Sequence, residues 1–208
     1  MINMKYSPGA VIKVGVGVLL FMNLNFCSYT QNNDLSNLRL KAQQARSYSE
    51  ANQMNIRYAI LVDMSKHSGK YRLFLWDFKG DSIRMKALCS HGSCGGKPHP
   101  ETAYKLPKFS NLPESYCSSL GKYKIGKRGY SNWGIHVNYK LHGLESTNNN
   151  AYKRIIVLHS WEHVPDQEIY PKYAPNSLGC PMVSNKAMKL LDSILQDETV
   201  PVLLWIYN

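Results

Sequence analysis

The sequence predicts a mainly β protein of the α+β class, in which the strands form a mixed, sandwich-like sheet with a few peripheral helices. Two observations support this prediction. Short apolar runs typical of buried strands recur through the middle of the chain, whereas apolar residues at helical spacing occur only towards its two ends. The runs are separated by long segments rich in Gly, Pro, Asn and Ser, as is common in β domains. We find no internal repeat, and 208 residues suit one main domain.

The first three strands are expected to form an antiparallel meander. Residues 58–62 are an apolar run, and residues 71–76 form a second run after the turn at 68–70. A turn at residues 79–81 then leads into a third strand over residues 82–89.

The next two strands are separated by long loops. After a loop over residues 90–120, strand character resumes at residues 120–125, and we expect a further loop from there to residue 150. Residues 154–158 give the clearest strand pattern in the chain, and it ends at His159.

Helices are predicted on either side of this strand region. Residues 34–55 carry leucines and alanines at helical spacing. After Cys180, Ser184 is a suitable N-cap for a second helix that includes Ala187 and Leu191. Residues 200–207 close the chain as a strand.

The first thirty residues are interpreted as a signal peptide. Lys5 and Lys13 provide a basic flank, and residues 14–22 are an apolar run too short for the ~20 residues that span a bilayer. We therefore expect an exported protein of the periplasm or cell envelope. An alternative is lipidation at Cys27, which would anchor the chain to a membrane.

The remaining chain divides into a helical lead-in over residues 31–54 and the main domain over residues 55–208. The whole sequence has 25 Lys and Arg against 14 Asp and Glu, a formal charge of +11. Such a charge favours a polyanionic or carboxylate-bearing partner. We do not expect a nucleic acid, because the sequence has no recognised nucleic-acid motif and is predicted to be exported.

Five cysteines in 208 residues are too few for a disulfide scaffold. Cys89, His91 and Cys94, with His99 nearby, suggest zinc, but their spacing matches no standard closed site, so we expect no metal and no cofactor. In an oxidising compartment, two of Cys89, Cys94 and Cys117 are expected to pair, and the sequence does not say which two.

Residues 158–181 contain the best candidate for a chemical site. His159 lies at the end of a predicted buried strand, and Cys180 lies in a turn of small residues before a helix. A cysteine becomes an effective nucleophile when a histidine or oriented backbone dipoles favour its thiolate. Gly179 gives the backbone freedom to aim N–H groups at an oxyanion. A buried structural cysteine and an unrelated histidine are the alternative interpretation of the same residues.

This segment resembles the L,D-transpeptidases, the YkuD-like enzymes that cross-link murein. Residues 156–161 (IVLHSW) and 177–181 (SLGCP) are similar to the histidine segment and the S-x-G-C turn of the murein L,D-transpeptidase catalytic domain family. The resemblance extends over residues 55–207, with further matching segments in the order of the family.

The resemblance implies a role for each residue of the segment. Cys180 would be the nucleophile and His159 its base, with the other ring nitrogen held by the backbone carbonyl of Ser160. Gly179 and Cys180 would donate oxyanion N–H groups, and Ser177 would shape the turn. The wider family carries a histidine where this chain has Leu178, and we expect that departure to alter substrate fit more than chemistry.

The implied reaction is acyl transfer on peptidoglycan stem peptides. Cys180 attacks the carbonyl of the third stem residue and expels D-alanine, and the thioester then passes to an amine or to water. The acceptor is left open among another stem peptide, a lipoprotein, a free D-amino acid and water. The rival hypothesis is a catalytically inactive wall-binding module with the same fold.

Four further residues are candidates around this site. Arg154 is a candidate for binding a stem-peptide carboxylate, although a structural ion pair is equally consistent with its position. Tyr123 and Trp161 are candidates for lining the cleft, with core packing as the alternative. His163 is a rival base, disfavoured by its position in a loop.

Overall fold

The computed structural model describes residues 15–95 and 107–208, with side chains from residue 33 onward. The chain divides into two compact units, Met1–Leu40 and Lys41–Asn208. Part of the predicted signal peptide, residues 1–14, lies outside the described residues, and residues 15–30 belong to a helix. In the described part of the chain, no helix has the length and apolar character needed to cross a membrane.

The described residues form two helices and eight strands, which confirms the mainly β prediction. They are α1 (Gly15–Ala51), β1 (Tyr58–Asp63), β2 (Leu73–Asp77), β3 (Ser82–Ala87), β4 (Gly121–Tyr130), β5 (Val137–Gly143), β6 (Val157–Ser160), β7 (Met182–Val183), α2 (Asn185–Leu195) and β8 (Leu203–Tyr207).

All eight strands belong to one mixed sheet, in the order β3-β2-β1-β8-β4-β5-β6-β7, which nearly closes into a barrel. Strands β1, β2 and β3 pair antiparallel, so the predicted meander is confirmed. The pairs β1–β8 and β6–β7 are parallel, and the others are antiparallel. The order places β5, β6 and β7 side by side at one end of the sheet.

The core explains why the apolar runs form strands. Residues 59–62 are fully buried, as expected for a central strand that is covered on both faces. Strands β2, β5, β6 and β8 contribute further buried side chains, including Leu75, Leu141, Leu158 and Leu204. Burying each such side chain stabilises the fold by about 1.5–3 kcal/mol before the entropy cost is counted.

Two predictions near the site are wrong. The loop expected between residues 125 and 150 instead contains the end of β4 and the whole of β5. Strand β6 begins at Val157 rather than at residue 154, because Ile155 adopts a left-handed backbone with φ of 57° and interrupts an extended chain.

The predicted helix after Cys180 is confirmed as α2. The hydroxyl oxygen of Ser184 accepts a hydrogen bond from the Ala187 amide at 3.2 Å, as an N-cap does. Met188, Leu191 and Leu195 form its buried face. This helix follows directly on β7, and so it fixes the chain just after the turn that carries Cys180.

Candidate active site

A cleft of about 580 Å³ lies over strands β5 and β6. It brings together Cys180 and His159, which are 21 positions apart in the sequence. Its described lining residues are Tyr130, Ser131, Asn132, Trp133, Asn138, Lys140, Ile155, Val157, His159, Trp161, Ser177, Leu178, Cys180 and Met182.

The alternation of side chains along the strands builds the floor of this cleft. Val157 and His159 point into the cleft, whereas Leu158 between them belongs to the core. On the neighbouring strand, Asn138 pairs with His159 and Lys140 pairs with Val157. Residues directly opposite on antiparallel strands share a face, so these four side chains form one patch.

His159 is held in one tautomer. Its Nδ1 lies 3.1 Å from the carbonyl oxygen of Ser160, which can only accept, so Nδ1 carries the proton and Nε2 is left as the basic nitrogen. Burial lowers the pKa of the imidazole, and the bond to Ser160 partly opposes this. His159 is therefore neutral at pH 7 and able to accept a proton.

Cys180 lies half-buried against the start of β6. The Val157 amide donates a hydrogen bond to Sγ at 3.4 Å, and the thiol faces the Ile155 carbonyl oxygen at 3.8 Å. Burial raises the pKa of the Cys180 thiol, while the Val157 amide, Arg154 and Lys140 act in the opposite direction. The resting cleft therefore contains a neutral thiol and a neutral imidazole.

The turn before Cys180 is fixed by hydrogen bonds. The Ser177 amide donates to the His91 carbonyl, and the Ser93 amide donates to the Ser177 carbonyl, both at 2.8 Å. The hydroxyl of Ser118 donates to the Gly179 carbonyl at 3.0 Å. Two segments that are distant from the turn in the sequence, residues 91–93 and Ser118, thus hold it by hydrogen bonds.

Gly179 occupies a position that other residues would not tolerate. Its φ is 111°, and an added Cβ would lie 2.8 Å from the Cys117 carbonyl oxygen. Its amide donates to the Ser177 hydroxyl at 3.1 Å, so this N–H is engaged within the turn rather than directed into the cleft. The Cys180 amide has no acceptor within the part of the chain that the structure describes.

Arg154 is engaged by the protein itself. Its Nη1 donates to the Ser110 carbonyl and the Ser119 hydroxyl, at 2.9 and 2.7 Å. Its Nη2 donates to the Ser115 hydroxyl and the Cys117 carbonyl, at 3.2 and 2.6 Å. Both terminal nitrogens therefore hold the segment that packs beside the S-x-G-C turn, and they leave little capacity for a substrate carboxylate.

The two aromatic candidates differ in position. Trp161 lines the cleft and also packs on Val164 and Met182. Tyr123 is fully buried in the core, where its hydroxyl donates to the Ser119 carbonyl at 2.6 Å. This placement corrects the expectation that Tyr123 lines the cleft. The rival base His163 packs edge-on against the Trp161 ring and is not among the described lining residues.

The cysteines resolve the pairing that the sequence left open. Cys94 and Cys117 form a disulfide, and Cys89 and Cys180 are free. The disulfide removes Cys94 as a ligand of the zinc alternative, and His99 lies outside the described residues. Cys89 is fully buried, and burial raises the pKa of its thiol to about 12. Cys180 is thus the free cysteine that faces the cleft.

Sequence reasoning missed the part of the site built by β5 and the loop before it. That loop contributes Ser131, Asn132 and Trp133, and the strand contributes Asn138 and Lys140. The signal was present, since residues 137–141 alternate apolar and polar with the period of a strand.

A known protein family matches most of this chain. A sequence model described as the L,D-transpeptidase catalytic domain matches residues 30–207. The match includes the whole of residues 31–54, the segment that we separated as a helical lead-in. No curated protein matches the chain.

Two solved structures are similar in fold. One is an L,D-transpeptidase from Xylanimonas cellulosilytica DSM 15894, with 13% identity and a TM-score of 0.36 over 72% of this chain and 60% of that one. The other is the helical cell shape determining protein Pgp2 from Campylobacter jejuni, with 11% identity and a TM-score of 0.45 over 73% of this chain and 47% of that one. The chain therefore spans between about half and three fifths of the length of these structures. The family model covers most of the chain, and on that match this protein belongs to the L,D-transpeptidase catalytic domain family.

Proposed function

We propose that this chain is an exported cysteine acyltransferase that acts on peptidoglycan stem peptides. The observation that carries the proposal is that Cys180 and a tautomerically fixed His159 line the same cleft. Family membership supplies the substrate class. Cys94 and Cys117 form a disulfide, whereas Cys180 remains a free thiol in the cleft. A free thiol in a cleft fits a catalytic rather than a structural role.

The first half of the reaction forms a thioester. Nε2 of His159 takes the thiol proton of Cys180 as Sγ attacks the carbonyl carbon of the third stem residue. The negative charge that develops on the carbonyl oxygen is stabilised by the Cys180 amide, and by the Gly179 amide once it leaves the Ser177 hydroxyl. The imidazolium then protonates the departing amine, and D-alanine leaves.

The second half returns the enzyme to its starting state. The acceptor attacks the thioester carbonyl while His159 takes its proton, and the proton then passes to Sγ as the carbon–sulfur bond breaks. An amine acceptor gives a cross-link or an exchange product, and water gives a trimmed stem. One intermediate serves all of these outcomes.

The proposal also includes export of the protein from the cytoplasm. We assign residues 1–30 to a signal peptide and residues 55–208 to the catalytic domain, with Cys27 as an alternative site of lipid attachment. The Cys94–Cys117 disulfide supports an oxidising compartment outside the cytoplasm.

Mass spectrometry of muropeptides after incubation with the mature protein tests the proposal. We expect loss of D-alanine with cross-linked, exchanged or trimmed products, and no products from Cys180→Ala. Cys89→Ala is the matched control, because Cys89 is free but buried in the core away from the cleft. Turnover that survives in Cys180→Ala would sink the assignment, and binding of muropeptides without turnover would favour the wall-binding module.

A further inference from the structure

We propose that Lys140 forms a carboxylate-binding subsite beside Cys180, and that it holds the free α-carboxylate of the terminal D-alanine of the stem peptide. This inference rests on the proposed function and names the group by which the donor substrate is recognised. It gives Lys140 the role of binding a substrate carboxylate, a role for which the sequence analysis named only Arg154.

The sheet register places Lys140 next to the nucleophile. Lys140 lies directly opposite Val157 in the β5–β6 pairing, and the Val157 amide donates to Sγ of Cys180 at 3.4 Å. Opposed residues on antiparallel strands have Cβ atoms about 4.5–5.5 Å apart on one face. The four-carbon side chain of Lys140 therefore allows its ammonium to reach the space beside Sγ.

The charge of the cleft is carried by Lys140. Among the described residues that line the cleft it has the only permanent charge, and none of them is Asp or Glu. Its ammonium has no hydrogen bond or ion pair with any residue that the structure describes, and the side chain is half-buried. A partly desolvated ammonium in a largely apolar cleft favours a bound anion.

Arg154 does not compete for this task. Its two terminal nitrogens donate to four acceptors in residues 110–119, and a carboxylate could bind there only by displacing them. Both cations oppose the effect of burial on the pKa of the Cys180 thiol, which agrees with their closeness to the sulfur. Of the two, Lys140 is the one that lines the cleft.

The chemistry of the donor fits this position. The terminal carboxylate belongs to the residue directly after the attacked carbonyl, and consecutive Cα atoms are ~3.8 Å apart. One cleft can therefore hold the carboxylate on Lys140 while Sγ contacts the carbonyl carbon. Carboxylates on earlier stem residues lie further from the bond that breaks.

Equilibrium binding in a Cys180→Ala background tests the subsite without requiring turnover. The probes are a synthetic stem tetrapeptide with a free D-alanine carboxylate, its C-terminal amide, and a version in which only the carboxylate of the second residue is amidated. We expect the free acid to bind about 10- to 100-fold more tightly than the C-terminal amide, as a charged hydrogen bond predicts. Lys140→Met should abolish this preference, and Lys140→Arg should restore part of it.

Lys127→Met is the matched control, because Lys127 is an exposed lysine of β4 that does not line the cleft. It should keep the preference. A Lys140→Met protein that still prefers the free acid overturns the inference. The inference is also overturned if binding depends only on the carboxylate of the second stem residue. Acylation of the parent protein, which retains Cys180, by the free-acid peptide is measured separately. If no acylation occurs but the preference for the free acid still depends on Lys140, the proposed reaction is contradicted and the carboxylate subsite is not.

Discussion

The ring of His159 is oriented by the next residue in the chain, because Nδ1 of His159 donates a hydrogen bond to the carbonyl oxygen of Ser160 at 3.1 Å. Ser160 is the last residue of β6 and pairs with Val183, and its hydroxyl accepts from the Ile135 amide at 3.1 Å. The acceptor is thus part of the sheet itself. In the proposed mechanism it would take the place of the third member of a catalytic triad, without a carboxylate.

The protonation states of the site predict its pH dependence. Acylation should rise from acid pH with a midpoint below the ordinary histidine value of 6.5, because burial lowers the pKa of His159 and only the neutral ring accepts the thiol proton. Alkylation of Cys180 by iodoacetamide should rise with a midpoint above the ordinary thiol value of 9.0, since burial raises that pKa. Rapid alkylation that is already complete at pH 7 would instead indicate a stable thiolate–imidazolium pair. In Cys180→Ala, slow labelling is expected throughout, because Cys89 is buried.

Gly179→Ala should be nearly inactive and less stable. The new Cβ would force the turn away from the Cys117 carbonyl, and a non-glycine residue in this backbone region costs about 1–3 kcal/mol. Chemical denaturation and the acylation rate measure the two effects. Leu178→Ala is the control at the neighbouring exposed position and should keep its stability. A fully active Gly179→Ala protein would show that the turn does not require this geometry.

Arg154→Met should lower the free energy of unfolding by about 2–4 kcal/mol, because it removes four hydrogen bonds and leaves the Cys117 carbonyl without its donor, whereas the Ser110 carbonyl keeps the Ser119 hydroxyl. The turnover number should fall with it, since the segment that flanks the turn is no longer held. Arg154→Lys should recover only part of the loss, because an ammonium cannot span the same acceptors. Unchanged stability with a raised KM alone would return Arg154 to the role of a substrate ligand.

Removal of the disulfide should affect both stability and activity. For a 23-residue separation, replacing Cys94 and Cys117 by Ser should cost about 3 kcal/mol. The residues beside both cysteines contact the turn, since Ser93 bonds to Ser177 and Ser118 bonds to Gly179, so acylation should slow as well. A reductant should lower the Tm of the parent protein and leave that of the double variant unchanged. If a reductant lowered the Tm of both proteins equally, its effect would not come from the Cys94–Cys117 disulfide.

Sequence patterns predicted correctly those elements whose formation depends on residues close together in the chain. The apolar runs of β1 and β2, and the Ser184 cap of α2, each carry their signal within a few residues. Strand β5 was missed because its short alternating pattern lies within a longer stretch rich in Gly, Asn and Tyr, which we interpreted as one loop up to residue 150.

The remaining errors arise from tertiary contacts. Residues 154–156 have strand composition, but Arg154 is drawn into four hydrogen bonds with a distant segment, and Ile155 takes a left-handed conformation beside Cys180. A β-branched residue in that conformation is strained, and such strain is common at functional sites. Tyr123 was ambiguous for a similar reason, because nothing near it in the sequence indicates which face of β4 is covered.

Intact-protein mass spectrometry of the acyl-enzyme tests the central claim most directly. After brief incubation with a stem tetrapeptide, the account predicts a mass increase equal to the stem without its D-alanine, mapped by peptide digestion to Cys180. The adduct should be absent in Cys180→Ala, strongly reduced in His159→Ala and retained in Cys89→Ala. No adduct on the parent protein under conditions in which the peptide binds, or an adduct that survives in Cys180→Ala, would contradict the account.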